Sequence, residues 1–199
     1  MKRYVAVLGR QPLISVAELE SLFENVRAIY ALGNKGKGST RGEKLPVLAE
    51  FSSKDIPNIH RLGGTLKIAE KVLEPLPVFL KNLPERGKIT VGVSDFSRGS
   101  SAFLAQKEAL KIKRMLAKDG RSVRVVPNKT AILSSATSLH NHLFSDTKIE
   151  ILKNGPDYYK VVQLQDIESY VQRDRKRPAR DAKVGMLPPK LAQILINLC

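Results

Sequence analysis

Apolar and polar positions along the 199-residue chain alternate at a period of two, then of three to four, and the switch recurs. Residues 4–9 are rich in β-formers and alternate weakly, which predicts a strand. Val16, Leu19, Leu22 and Phe23 follow at helical spacing. Ahead of them, Ser15-Val16-Ala17-Glu18 reads as a capping box, the hydroxyl taking a backbone amide and Glu18 reaching back. Residues 26–32 and 45–51 read as strands, and the Gly-, Lys- and Ser-rich stretch 33–44 as a loop. Asp55 is the expected cap of a helix clearest over 65–73. The order β-α-β-β-α opens a ferredoxin-like unit.

Three prolines within 74–87 suggest a boundary, after which the pattern restarts. Residues 88–94 alternate as a strand. Ser100 or Ser101 starts a long helix that stops at Gly120, a residue suited to the left-handed position past a helix end. A strand over 121–126, a helix over 132–144 and a hairpin across Asn154-Gly155 complete a second mixed unit. Residues 166–183 are polar and basic without apolar periodicity and read as a linker. Pro188 and Pro189 then open a last helix, with Leu191, Ile194, Leu195 and Leu198 on one face and Ala192, Ile196 and Cys199 widening it. Such a helix needs cover. The fold class is therefore α+β. Its expected parts are a first unit over 1–84, a second over 85–165, a basic linker over 166–184 and a final segment over 185–199. That segment is expected to begin a domain whose remainder is missing, so its apolar helix is expected to be poorly covered and open to self-association.

Charge adds what periodicity does not give. The chain has 34 Lys+Arg against 19 Asp+Glu, a net +15, and a pI near 10.0. A domain this basic points to a polyanion, RNA or DNA first, over a mere solubility surface. Cys199 stands alone, which excludes an intrachain disulfide and a cysteine zinc site. The opening apolar run is too short for a signal peptide, and no window approaches a membrane span. The expectation is a cytoplasmic protein without a membrane partner.

The long helix carries two stripes. Ala102, Ala105, Ala109, Ile112 and Leu116 form an apolar face, while Lys107, Lys111, Arg114 and Lys118 keep the same rhythm on another. Arg121 and Arg124 follow on the next strand. Residues 100–130 hold eight Lys+Arg and two acidic residues. Cations in line repel one another unless an anion approaches, so these six are candidate phosphate contacts. Arg173, Arg175, Lys176 and Arg177 in the linker form a second candidate set, with arginines suited to bidentate phosphate recognition. A solvated helix face and a disordered basic linker are the plainer alternatives. Residues 33–40 resemble a P-loop but lack its Gly-Lys-Ser/Thr spacing. His140-Asn141-His142 lacks an acidic cluster, and Asn154-Gly155-Pro156-Asp157 fits a turn. No catalytic residue and no metal site is legible.

The stretch from Arg173 to Gln193, with Arg177-Pro178 and then Met186-Leu187-Pro188-Pro189-Lys190-Leu191-Ala192, resembles the junction before the methyltransferase domain in the tRNA guanine N2-methyltransferase family. Members of that family carry a THUMP RNA-binding domain. Leu8-Gly9-Arg10 with Pro12, followed by Ala17-Glu18-Leu19, resembles the family's opening, and Leu62-Gly63-Gly64-Thr65 is a weaker echo. The resemblance implies a ferredoxin-like domain, a THUMP domain and then a Rossmann-like methyltransferase using S-adenosylmethionine. This sequence ends before the family's cofactor and catalytic loops. The chain alone is therefore expected to bind no cofactor and to be inactive, and to hold structured RNA, tRNA foremost, for the missing domain. Pro178, Met186, Pro188 and Lys190 match the junction, which the resemblance places near the cofactor pocket. A free-standing RNA-binding protein, or catalysis supplied by a partner chain, are the alternatives.

Overall fold

The computed structural model describes residues 1–30, 45–84, 87–177 and 186–199, and all its named strands join one mixed sheet. The first half of the chain contributes β1 (Lys2–Leu8), α1 (Pro12–Leu22), β2 (Glu24–Tyr30), β3 (Pro46–Ser53), a 3-10 turn (Ile59–Arg61) and β4 (Thr65–Lys71). The second contributes α2 (Leu76–Lys81), β5 (Ile89–Asp95), α3 (Ala102–Lys118), β6 (Val123–Val125), α4 (Ser135–His140), β7 (Lys148–Asn154) and β8 (Asp157–Leu164). Two helices follow, α5 (Ile167–Arg175) and α6 (Pro189–Leu198). The sheet order is β2-β3-β1-β4-β8-β7-β5-β6. Neighbours are antiparallel from β2 through β7, and β5 runs parallel to both β7 and β6.

Strand alternation decides which residues meet which layer. In β1, Tyr4, Ala6 and Leu8 pack with Leu19 of α1, whereas Val5 and Val7 pack with Ala69, Leu152, Tyr159 and Val161. A third cluster sits under α3, where Ala109, Ile112 and Leu116 meet Ile89, Val91 and Val93. Leu76, Leu80 and Leu83 belong to this cluster, so residues assigned by sequence to the first unit pack with the second. The sheet itself crosses the expected boundary, because β4 pairs with β8 from Lys67↔Leu164 to Lys71↔Tyr159.

One buried ion pair sits beside that seam. The Lys67 ammonium donates to Glu150 Oε1 at 2.6 Å, to Ser138 Oγ at 2.8 Å and to the Leu133 carbonyl at 2.9 Å. Glu150 accepts further from Ser94 and Ser138, both at 2.6 Å. The side chains are 2% and 0% exposed.

Several elements differ from expectation. Residues 65–71 are a strand, not a helix. Leu66, Ile68, Ala69, Val72 and Leu73 mimic helical spacing, but β1 and β8 flank this segment and take its backbone groups, so context overrides propensity. Only the 3-10 turn stands where the second helix of the first unit was expected. α1 begins at Pro12, a residue preorganised for a first turn, so Ser15 is no cap; its hydroxyl donates to the Gln11 carbonyl at 2.8 Å. Glu18 is buried and accepts the Gly63 and Gly64 amides at 2.8 and 2.9 Å, which satisfies a turn lacking strand partners. The helix expected over 132–144 is confined to α4. The expected linker contains α5, capped by Asp166 through the Ser169 amide at 3.0 Å and anchored by buried Tyr170. The P-loop-like stretch, Pro178 and the remainder of that linker lie outside the described residues.

The last helix is not left uncovered along its length. α6 packs on α1 and α5, with Ile194 only 4% exposed. Asn197 Nδ2 donates to Glu18 Oε1 at 2.8 Å and to the Arg61 carbonyl at 2.6 Å. Gly63 permits the approach, since a Cβ there would lie 2.1 Å from the Lys190 carbonyl oxygen. Leu195, Ile196 and Leu198 remain exposed, so the wide apolar face is covered only in part. Removing a buried Ile side chain typically costs about 2–5 kcal/mol. Ile194→Ala is expected to lower the unfolding free energy in urea by about 2 kcal/mol or more; an unchanged midpoint would make α6 a passenger.

Candidate nucleic-acid interface

α3 is split cleanly by its own sequence. The Ser101 hydroxyl caps it by accepting the Leu104 amide at 3.3 Å, and Gly120 follows its end at φ +73°, a backbone position that favours glycine. Ala105, Ala109, Ile112 and Leu116 are fully buried, so the other face must look outward. Lys107, Lys111, Arg114 and Lys118 are exposed there, as the spacing predicts, and Lys113 joins them. Phe103, in the first turn, is 73% exposed, an aromatic ring held at the surface among cations.

Glu108 is the one acid among these side chains. Its carboxylate accepts the Tyr158 hydroxyl at 2.9 Å and sits 3.3 Å from both Lys111 and Lys153. Burial pushes the Glu108 carboxyl up, but the Tyr158 hydrogen bond and the two ammoniums outweigh it and hold the group below the usual range. The same contact and burial push the Tyr158 phenol far up. Lys107, Arg114 and Lys118 have no carboxylate within 4.0 Å among the described residues. Like charges at these helical steps cost roughly 0.2–0.5 kcal/mol per pair, and Glu108 offsets this only at Lys111.

Not every candidate cation belongs to the face. Arg124 is exposed on the edge strand β6. Arg121 is turned to the chain: its guanidinium donates to the Leu83 carbonyl at 3.4 Å and also to the Pro84 carbonyl. It ties down the chain between α2 and β5, whose carbonyls lack ladder partners. The α5 set is also divided. Arg173 lies 4.7 Å from the Tyr170 ring centroid, and Arg175 and Lys176 are exposed. Arg177 donates to Asp174 at 2.6 Å and to the Leu187 carbonyl at 2.7 Å, so it fastens the approach to α6. Tyr170 donates to the Leu62 carbonyl at 3.2 Å, which places α5 by the first half of the chain. α3 covers β5 and β6 at the sheet's far end. The two basic clusters therefore form two patches. Sequence reading missed Arg98, in the loop between β5 and α3, and Lys153, which lies in β7 and comes beside α3 through the sheet.

Of the junction residues, Pro188 and Lys190 line a different cleft, of about 560 Å³, between Gly9, Gly63-Gly64 and α6. Pro188 caps α6, and Met186 is 38% exposed. Lys190 donates to Gln165 Oε1 at 2.5 Å and lies 5.3 Å over the Tyr170 ring; burial lowers its pKa. The Gly63 and Gly64 amides are spent on Glu18 and the Gly9 amide on the Gly64 carbonyl, so these backbone donors are not left for a ribose or carboxylate.

A scan against protein-family models found no match, and a search of curated proteins found none.

The two kinds of arginine can be told apart. Arg121→Ala removes two carbonyl contacts and is expected to cost about 1–2 kcal/mol in urea unfolding while leaving the salt dependence of RNA binding unchanged. A fully stable variant with a flattened salt dependence would return Arg121 to the interface.

Proposed function

We propose that this chain is an RNA-binding module that holds structured RNA, tRNA foremost, by its phosphate backbone. The observation that carries the reading is the solvent-facing row Lys107, Arg114 and Lys118, with Lys111 beside it. These cations share one face of a helix that buries Ala105, Ala109, Ile112 and Leu116 on the other. Arg124, Arg175 and Lys176 add exposed positive charge elsewhere. Contacts of this kind position a nucleic acid and read little sequence. Phe103 offers one ring, too few for recognition by stacking alone.

The finer reading rests on the junction resemblance. In it, the module serves a tRNA guanine N2-methyltransferase: it fixes the RNA while a Rossmann-like domain outside these residues binds S-adenosylmethionine and carries out methyl transfer. The antiparallel order β2-β3-β1-β4 supports a ferredoxin-like first half, although the 3-10 turn Ile59–Arg61 replaces its second helix. The second half, with parallel β5, β6 and β7 and basic α3, is read as THUMP-like. The reading places the protein with its RNA in the cytoplasm; among the described residues no helix is long and apolar enough to cross a membrane. A free-standing RNA-binding protein is the second reading, favoured by the docking of α6 on α1 of the same chain.

Each phosphate neutralised contributes about 0.7–0.9 to the slope of log affinity against log salt. Replacing Lys107, Lys111, Arg114 and Lys118 together with Gln is expected to weaken binding to all structured RNAs alike and to flatten that slope by roughly 2–4. Filter binding over a salt series is the measurement. An unchanged slope would move the site to the α5 cations.

A further inference from the structure

We propose that the loop after β5 and the first turns of α3 form a cup for one phosphate group, a discrete site within the basic face. The proposal rests on the RNA-binding reading and names the part of the surface where that reading acquires geometry. The cup is a concavity of about 420 Å³, within the range of small-ligand sites. Five cationic side chains line it, Arg98, Lys107, Lys111, Arg114 and Lys153, against two carboxylates. Both acids are already committed. Asp95 is buried and accepts the Ser97 amide at 2.9 Å, which shapes the loop. Glu108 is occupied by Tyr158, Lys111 and Lys153. Each of those ammoniums spends one donor on Glu108 and has others to turn elsewhere. Arg98, Lys107 and Arg114 have no carboxylate partner among the described residues. The lining is therefore positive after its internal pairs are made.

Two hydroxyls add direction to the charge. Ser100 lines the cup, and its Oγ is shielded from solvent without a hydrogen-bond partner. A hydroxyl in that state costs free energy until an acceptor arrives. Ser97 Oγ accepts the Gly155 amide at 3.0 Å, so its own proton remains to be donated. Gly99, at φ +70°, lets the chain reverse between the two serines. The site thus offers an arginine fork, ammonium donors and two hydroxyls to one small volume. A carboxylate presents two acceptor oxygens; a phosphate presents more, spread tetrahedrally, and matches this donor number better. RNA supplies such a group either as an internal phosphodiester or as a terminal phosphomonoester.

The cup is tested first without RNA. The full chain, labelled with nitrogen-15, is titrated with inorganic phosphate at constant ionic strength. Saturable amide shifts centred on Ser97, Arg98, Gly99 and Ser100 are expected. Arg98→Ala should weaken this binding at least tenfold, whereas Lys54→Gln, at an exposed lysine after β3, should change it less than twofold. A dispersed spectrum of Arg98→Ala establishes that the variant is folded. The second arm compares one hairpin RNA with a 5′-phosphate and with a 5′-hydroxyl. A terminal monoester in the cup gives tighter binding of the phosphorylated form, and Arg98→Ala abolishes the difference. An internal phosphodiester gives equal binding of both forms, and Arg98→Ala weakens them equally. Phosphate shifts that fail to saturate, or that spread over α3 and α5 without centring on the loop, would overturn the cup. RNA binding with its steep salt slope would survive that result, so failure of the cup and failure of the RNA reading are separable.

Discussion

Lys67 of β4 and Glu150 of β7 form a buried ion pair at 2.6 Å across the middle of the sheet. Removing two charges from water is expensive, and their attraction offsets that cost only when geometry is close and every remaining donor and acceptor is met. Here three donors of the ammonium find acceptors, and both carboxylate oxygens are engaged. Burial pushes the Lys67 pKa down, and Glu150 opposes it. The partners come from β4, β5, β7, α4 and the segment before α4, so closing the network fixes these elements together. Ser94 extends it by accepting the Leu133 amide at 2.9 Å. A shift of β7 by one residue would turn Glu150 to the opposite face and leave Lys67 an unpaired buried charge.

That joint gives the basic surface its footing. β8 lies between β4 and β7, and both flanking strands are held through the ion pair. β5 is fixed to β7 along six residue pairs, and α3 rests on β5. Arg98 and Ser100, after β5, and Lys153, in β7, are brought to Lys107 by this stack. The chain's cations consequently divide by role. Lys67, Arg121, Arg177 and Lys190 are engaged with carboxylate, carbonyl or amide oxygens of the chain itself. Lys107, Arg114 and Lys118 are not, and they account for the functional reading better than the net charge of +15 does.

Local signals were legible and distant ones were not. α3 could be read end to end because its cap, its stripes and its terminal glycine all lie within the helix. The hairpin turn at Gly155, with φ +60°, was likewise local. β4 was misread because its identity lies in pairing with β1 and β8, and its own Ala69-Glu70-Lys71 favours helix. α5 was missed although Asp166 and Ser169 spell a cap, because only Tyr170 gives it an apolar anchor. The contacts of Arg121 with the chain gave no local signal because the carbonyls it meets lie 37 and 38 residues away. Lys67 and Glu150, 83 residues apart, gave no sequence signal of their meeting. The cup is half legible: its helix could be read, and Ser97-Arg98-Gly99-Ser100 between a strand and a helix cap was the signal overlooked.

The central claim is that this pair makes the two halves one cooperative sheet. Urea unfolding of Lys67→Ala, followed by circular dichroism and by amide hydrogen exchange in β1 and β5, tests it most directly. Breaking a buried pair by removing one partner typically costs about 3–5 kcal/mol. A loss of that size is expected, with β1 and β5 losing protection together. Replacing both partners, Lys67→Met with Glu150→Leu, should restore much of the stability, since no lone charge is left. A loss below about 1 kcal/mol, within the range of ordinary surface substitutions, or separate unfolding of β1 and β5, would contradict the account.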